Sequence, residues 1–381
     1  MPADDHLAMT DIIDIRTCDD PRDAIHRVVE RLAAGDFVGL PTETSYVLAT
    51  QASQPEAANR LREISGQPLI VAVKGADEAL DFMPSLDAHG ERLLRKLMPG
   101  PVIVEASNHD ESSLFRAMPE AVQRAVDRGG HFQLRSSEQE IFAAIQRLAA
   151  APLLMSDETQ GRPFLSPAAL LDRYKVPVSV VLDDGPPLLD GRCSVLRFGD
   201  GDWTMTEVGL LDEATVRERA CLGFVFVCTG NTCRSPLAEA MFRKMLAERL
   251  NCAEDELTRH GYYVASGGIS AGYDLPAAAE SLALAEEFGL TLSTHRSRPL
   301  TDDLLSRADF VYAMTAGHRA AILSARPDLA GRVHLLSREG LDIADPIGGG
   351  PADYEHCRAE IERELLVVLA ALPIDPHQTR G

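Results

Sequence analysis

Apolar and polar positions follow two rhythms along this chain. Near the start, Ile25, Val28, Val29 and Leu32 recur at helical spacing between Pro21 and Ala34, which predicts an amphipathic helix closed by Gly35-Asp36. Farther on, Phe224-Val225-Phe226-Val227 is a continuous apolar run suited to a buried strand, and it ends at Cys228. Ser235-Pro236 then opens an alanine- and leucine-rich helix. From there on, apolar strands alternate with amphipathic helices, the pattern of a parallel sheet with helices on both faces. The loop after the first of these strands is expected at the sheet's carboxyl end, where such folds hold their ligands. Between the halves, Asp212 to Arg219 reads as a short charged helical connector, preceded by the turn-rich Phe198-Gly199-Asp200-Gly201-Asp202-Trp203. The chain shows no internal repeat and no low-complexity run.

A length of 381 residues predicts about two domains, each long enough to bury a core. Hydrophobic content of 45% with 25% charged residues is ordinary globular composition. No apolar run approaches the ~20 residues of a membrane helix, and the polar start Met1 to His6 does not read as a signal peptide. Seven cysteines without a CxxC pair suggest reduced thiols, hence a cytoplasmic protein without a membrane partner. The net charge of −21 argues against non-specific binding to nucleic acid or to anionic membranes.

The strongest candidate chemistry lies in Cys228-Thr229-Gly230-Asn231-Thr232-Cys233-Arg234-Ser235-Pro236. Amides of the turn and of the helix N-terminus would point into one small cup, where the dipole favours an anion. The same field, with Arg234 beside it, favours the thiolate form of Cys228 and makes it a nucleophile. Arg234 can grip two oxygens of a phosphoryl group in a planar fork. A Cys-x5-Arg spacing alone arises by chance. Between a strand and a Ser-Pro helix start it is specific. The bland reading makes Cys228 a buried core cysteine. Likewise Asp345-Pro346, followed by glycines, could be only a turn.

This segment closely resembles the low-molecular-weight protein tyrosine phosphatase family, over about 150 residues from Gly223 to Pro373. Val264-Ala265-Ser266-Gly267-Gly268 is similar to the family's Ser-Ala-Gly strand end, and Thr294 to Leu300 to its His-x-Ser/Ala-Arg-x-Leu segment. Ala308 to Thr315 resembles the Ala-Asp-x-Ile-x-x-Met strand, and Asp345 to Gly349 the mobile loop carrying the general acid. The resemblance implies a doubly wound α/β domain and metal-free, cofactor-free hydrolysis of a phosphorylated protein substrate. In that chemistry Cys228 forms a phosphocysteine, Arg234 holds the equatorial oxygens, and Asp345 protonates the leaving group and then activates water. It also implies that Thr229, Gly230, Asn231, Thr232, Cys233 and Ser235 shape the phosphate loop, with Ser235 steadying the thiolate. Cys233 either packs or forms a reversible disulfide with Cys228. His295 reads as a hydrogen-bonded structural residue.

Substrate choice is divided between phosphotyrosine and phosphoarginine. Thr232 stands where tyrosine-directed members carry a larger aliphatic residue, and the Cys-Thr-Gly-Asn-Thr-Cys-Arg-Ser-Pro string looks most like bacterial protein-arginine phosphatases. Ile347, in contrast, stands where members usually place an aromatic residue. Arsenate reductases share the loop but need two closely spaced downstream cysteines; here the later ones are Cys252 and Cys357.

In the first half, Leu40-Pro41-Thr42-Glu43-Thr44-Ser45-Tyr46, Leu97-Met98-Pro99-Gly100-Pro101, Leu134-Arg135, Leu182 to Pro186 and Cys193-Ser194-Val195 resemble the YrdC-like family. Its members make threonylcarbamoyl-adenylate from threonine, bicarbonate and ATP for tRNA modification. The resemblance implies a twisted mixed α/β domain over 11–209, a linker over 210–222 and the phosphatase-like domain over 223–373. It also implies an open cavity with Thr42, Thr44, Tyr46, Arg135 and Ser156 in its wall. The ligand-handling residues depart from the family pattern. Lys-x-Arg-Pro is replaced by Ser65-Gly66-Gln67-Pro68, the glycine after the tyrosine by Val47, and Ser-x-Asn by Ser156-Asp157-Glu158. Carboxylates near phosphates repel them. The expectation is a non-catalytic domain, with ATP a ligand only if that domain is active. The alternative is a bifunctional enzyme that also makes threonylcarbamoyl-adenylate, with Lys74 or Arg62 replacing the missing cations.

Overall fold

The computed structural model describes residues 10–156, 162–199 and 202–372. Met1 to His6, Asp157, Glu158, Asp200, Gly201 and Pro373 lie outside the described residues. The chain divides into two compact units, residues 1–216 and 217–381, with the division inside the helix Glu213–Ala220.

The first unit is built on a ten-stranded sheet of mixed direction. Its opening helix, Pro21–Ala33, starts with proline in the first turn, and the Asp20 carboxylate accepts from the Arg22 N–H. Ala24, Val28 and Leu32 are its buried stripe. They pack with Leu40, Val47, Ile70, Phe142 and Val180 into the core. Val47 is therefore a core residue of the fully buried strand Tyr46–Gln51. The turn-rich stretch around residue 200 joins two strands, Ser194–Gly199 and Asp202–Glu207, that pair antiparallel.

The second unit follows the pattern read from the sequence, and it supplies the fold class expected there. Strand β1 (Leu222–Cys228) carries six consecutive buried positions, as a central parallel strand requires. Helix α1 (Arg234–Leu250), strand β2 (Tyr262–Gly268), helix α2 (Ala279–Glu287) and the short helix α3 (Asp302–Ser306) follow. Then come strand β3 (Phe310–Ala313), helix α4 (Ala316–Ala325), strand β4 (Val333–Leu335) and helix α5 (Pro351–Ala370). The strands lie in the order β2-β1-β3-β4, all parallel. Phe224, Phe226, Met241, Phe242, Ile361 and Leu365 form the largest apolar cluster of this unit, between the sheet and helices α1 and α5. Val225, Val227, Leu304, Val311 and Ile322 fill the opposite face. The order reverses between β1 and β3, and at that switch point a doubly wound sheet opens a crevice at its carboxyl edge.

Candidate active site

Strand β1 delivers Cys228 to the carboxyl edge, and the chain then turns tightly through five residues into α1. Asn231 makes this turn possible. It takes φ 52°, in the left-handed region that asparagine tolerates better than most residues. Its fully buried side chain donates to Ser235 Oγ at 3.0 Å and to Ser266 Oγ at 2.8 Å, and accepts from the Arg298 N–H at 3.0 Å. Its carbonyl faces His295 Nε2 at 2.9 Å. Ser266 in turn donates to Glu239 at 2.6 Å. The loop is thereby tied to β2 and to the segment before α3.

Beneath the loop, the Asn231 N–H points at Cys228 Sγ from 3.3 Å and Ser235 Oγ lies 3.0 Å from it. An amide and a hydroxyl thus converge on one sulfur. Cys228 is 3% exposed and packs with Phe226, Leu237 and Met314 at the edge of the apolar core, where the strand gives way to the loop. Gly268, at the end of β2, lets the loop come this close. A Cβ there would stand 2.5 Å from the Thr229 carbonyl oxygen and 3.0 Å from the Asn231 nitrogen.

Arg234, the first residue of α1, is buried and spans the cup to the loop before α5. Its Nη1 donates to the Ile343 carbonyl at 3.2 Å and its Nη2 to Asp345 at 2.5 Å. Asp345 is thus brought to the guanidinium across 111 residues of chain, with its carboxylate still partly open to solvent. Ile343 is itself fixed, its N–H donating to the Met314 carbonyl at 2.8 Å. Ile347 points outward, 68% exposed. Thr232 is half-buried at the rim. Cys233 is a free thiol packed against Leu284 and Tyr354, with its sulfur 3.6 Å from the Tyr354 hydroxyl. Cys228 is also free. Cys357 is buried on α5, and burial pushes its thiol up to about 12, the opposite of a relay thiol. Among the described residues, no group of His, Cys, Asp and Glu could hold a metal ion.

Two contributors escaped the sequence reading. Ser266 was visible only as part of a strand-end motif, with no role attached. His318 was not singled out at all, yet its Nε2 lies 2.9 Å from Thr229 Oγ1. The available signal was Thr315, an N-cap residue two positions past the end of β3, which places His318 in the first turn of a helix at the sheet's carboxyl edge.

In the first unit, Thr42, Thr44, Tyr46, Arg135 and Ser156 are all buried and engaged with their surroundings. Arg135 Nη2 donates to Glu43 at 3.1 Å and to Thr44 Oγ1 at 2.8 Å, and Glu43 also accepts from the Ser137 hydroxyl. The Thr42 hydroxyl donates to the Ser45 carbonyl at 2.6 Å. Tyr46 Oη sits 2.9 Å from the Asp183 carboxylate and 2.6 Å from the Gly185 carbonyl; burial, then the carboxylate, push its phenol upward. Ser156 Oγ accepts from the Leu48 N–H at 3.1 Å. Lys74 is exposed and Gly66 caps a helix in the left-handed region, with φ 71°.

A family model described as low molecular weight phosphotyrosine protein phosphatase matches residues 224–376. The chain is 37% identical over 153 residues to the protein-arginine-phosphatase of Bacillus subtilis (strain 168), a match covering 39% of this chain and 95% of that protein. The chain belongs to the low molecular weight phosphotyrosine protein phosphatase family. It is also 34% identical over 138 residues to the probable low molecular weight protein-tyrosine-phosphatase EpsP of Ralstonia nicotianae (strain ATCC BAA-1114 / GMI1000), across 36% of this chain and 86% of that one. With the phosphatase Etp of Escherichia coli (strain K12) it shares 31% identity over 139 residues, across 36% and 85%. A second model, the YrdC-like one described as telomere recombination, matches residues 30–208. This family member therefore carries a YrdC-like domain ahead of its phosphatase domain.

Proposed function

We propose that this chain is a cysteine-dependent protein phosphatase in which Cys228, Arg234 and Asp345 carry the reaction. The observation that bears most weight is the convergence of the Asn231 N–H and the Ser235 hydroxyl on one sulfur, where β1 passes into the turn before α1. The thiolate attacks phosphorus in line, the phosphorus–leaving-group bond breaks, and a phosphocysteine forms. Arg234 and the loop amides hold the three equatorial oxygens as charge spreads over them. Asp345 accepts from the Arg234 guanidinium. A phosphoryl group entering the cup takes over that guanidinium, which releases Asp345 to pick up a proton from solvent, pass it to the leaving atom and then take one from the water that cleaves the phosphocysteine.

The substrate is a phosphorylated side chain on a protein, and we assign phosphoarginine as the preferred one. The small polar Thr232 at the rim, with Ile347 turned away from the cup, leaves space for a guanidinium. A phosphotyrosine ring would find no aromatic side chain there at position 347. Phosphoarginine- and phosphotyrosine-bearing proteins assayed side by side test this, together with Thr232→Ile. Wild type is expected to prefer phosphoarginine, and the substitution to shift preference toward phosphotyrosine; equal kcat/KM on both in wild type and variant would overturn the assignment.

The first unit we assign as a non-catalytic domain, acting in docking or ligand sensing. In support, Arg135 is neutralised by the buried Glu43, and Tyr46 is tied down by Asp183 and Gly185. Calorimetry of the whole chain with ATP and threonine tests it. No heat of binding is expected; tight ATP binding would speak for a bifunctional enzyme.

A further inference from the structure

His318 is a buried side chain at the switch point, 5% exposed, and the reaction as described makes no use of it. It sits in the first turn of α4, where Thr315 caps the helix by accepting the His318 N–H at 3.1 Å. Its ring crosses from β3's end of the crevice to β1's end and meets Thr229, the residue directly after Cys228, at 2.9 Å. The Thr229 backbone is already fixed, since its carbonyl accepts from the Ser270 N–H at 3.0 Å. Thr229 itself is exposed, next in the chain to Cys228.

The direction of the His318–Thr229 hydrogen bond follows from the other ring nitrogen. Nδ1 is buried and has no hydrogen-bond partner among the described residues. Burial, then the Arg234 guanidinium, hold the ring below its ordinary value of 6.5, while Asp345 and Asp342 pull the other way. A neutral imidazole carries a single N–H. If that hydrogen were on Nδ1, a buried donor would be orphaned at a cost of about 1–3 kcal/mol. A bare lone pair there is the milder defect, because unpaired acceptors are tolerated more readily than unpaired donors. The hydrogen therefore belongs on Nε2, which donates to Thr229 Oγ1. The hydroxyl's own hydrogen must then point away from the ring.

We propose that His318 is a positioning residue: its Nε2–H fixes Thr229 Oγ1 so that the threonine hydroxyl donates to the phosphoryl group in the cup. This rests on the phosphatase reading of the Cys228 loop. It adds a neutral donor to the amides and Arg234, one set by a residue 89 positions away in the chain. Such a donor strengthens as charge develops on the equatorial oxygens.

The test compares wild type with His318→Ala, His318→Gln, Thr229→Val and the double variant His318→Ala/Thr229→Val. Two readouts are taken: kcat/KM on para-nitrophenyl phosphate, and orthovanadate binding by calorimetry, which needs no turnover. His318→Ala and Thr229→Val should each weaken orthovanadate binding and lower kcat/KM roughly tenfold, the loss of one hydrogen bond to a charged group. The double variant should be no worse than Thr229→Val, because both changes remove one donor. His318→Gln, whose amide N–H reaches the place of Nε2, should recover most of the loss. Multiplying effects in the double variant, or a Thr229→Val protein that binds orthovanadate like wild type, would overturn the inference. If His318→Ala does not fold, Thr229→Val and His318→Gln still decide it. Failure of the phosphatase reading would look different: a wild type without turnover, or turnover that survives Cys228→Ser.

Discussion

Asn231 organises the loop after Cys228. It turns the chain at positive φ, aims its own N–H at the Cys228 sulfur and holds Ser235 and Ser266 in place. Asn231→Ala would leave the Arg298 N–H without its acceptor and strain the turn. We expect it to cost about 2 kcal/mol of stability, readable in urea denaturation, and to lower kcat/KM by more than that loss of folded protein explains. His318 gives a second prediction at this scale. Its folded-state pKa lies below the ordinary 6.5, so the unfolded chain binds the proton first as pH falls. The stability of wild type should therefore drop on going below about pH 6.5, and His318→Gln, lacking that group, should show a shallower drop. Parallel slopes in chemical denaturation at a series of pH values would contradict this. The residues of the Cys228–Pro236 loop were legible in the sequence because strand, turn and helix start are contiguous there. His318 and Ser266 were not, since each reaches the loop only through the pairing of distant strands.

The elements divide the work by rigidity. Strand β1 is buried along six positions and α1 packs on it, so the cup is anchored to the core of its unit. Asp345, by contrast, lies on a loop between β4 and α5 held through Ile343 and by the Ala344 N–H to Glu360 at 3.3 Å. A fixed thiol and a carboxylate on a loop suit the proposed reaction, in which the carboxylate must first give up its arginine. Asp345→Ala should thus slow turnover least for para-nitrophenyl phosphate, whose leaving group needs little help, and most for phenyl phosphate; comparing kcat across a series of aryl phosphates checks it, and a uniform loss would argue against a proton donor. At this scale the second unit's sheet was readable from the alternation of apolar strands and helices. The ten-stranded sheet of the first unit was not. Its neighbours include Val102 with Ser194 and Asp11 with Val180, pairings between residues far apart in the chain that no local periodicity encodes.

Across the molecule, two units of different chemistry share one acidic chain of net charge −21. The positive end of α1 and Arg234 are then a local exception, and it falls where the proposed reaction puts the phosphoryl group. In the first unit the retained Arg135 has turned inward onto Glu43, a fully desolvated pair. Removing one partner strands the other, so Arg135→Ala should destabilise that unit by about 3 kcal/mol while leaving phosphatase kcat unchanged; denaturation and kinetics on the same preparation separate the two. Among the described residues no helix is long and apolar enough to cross a membrane. The most direct measurement quenches turnover with acid within milliseconds and maps the trapped phosphate by mass spectrometry. Phosphate on the peptide bearing Cys228, and no turnover in Cys228→Ser, is the expected result. Phosphate on another residue, or full activity in Cys228→Ser, would contradict the assignment of that sulfur as the nucleophile.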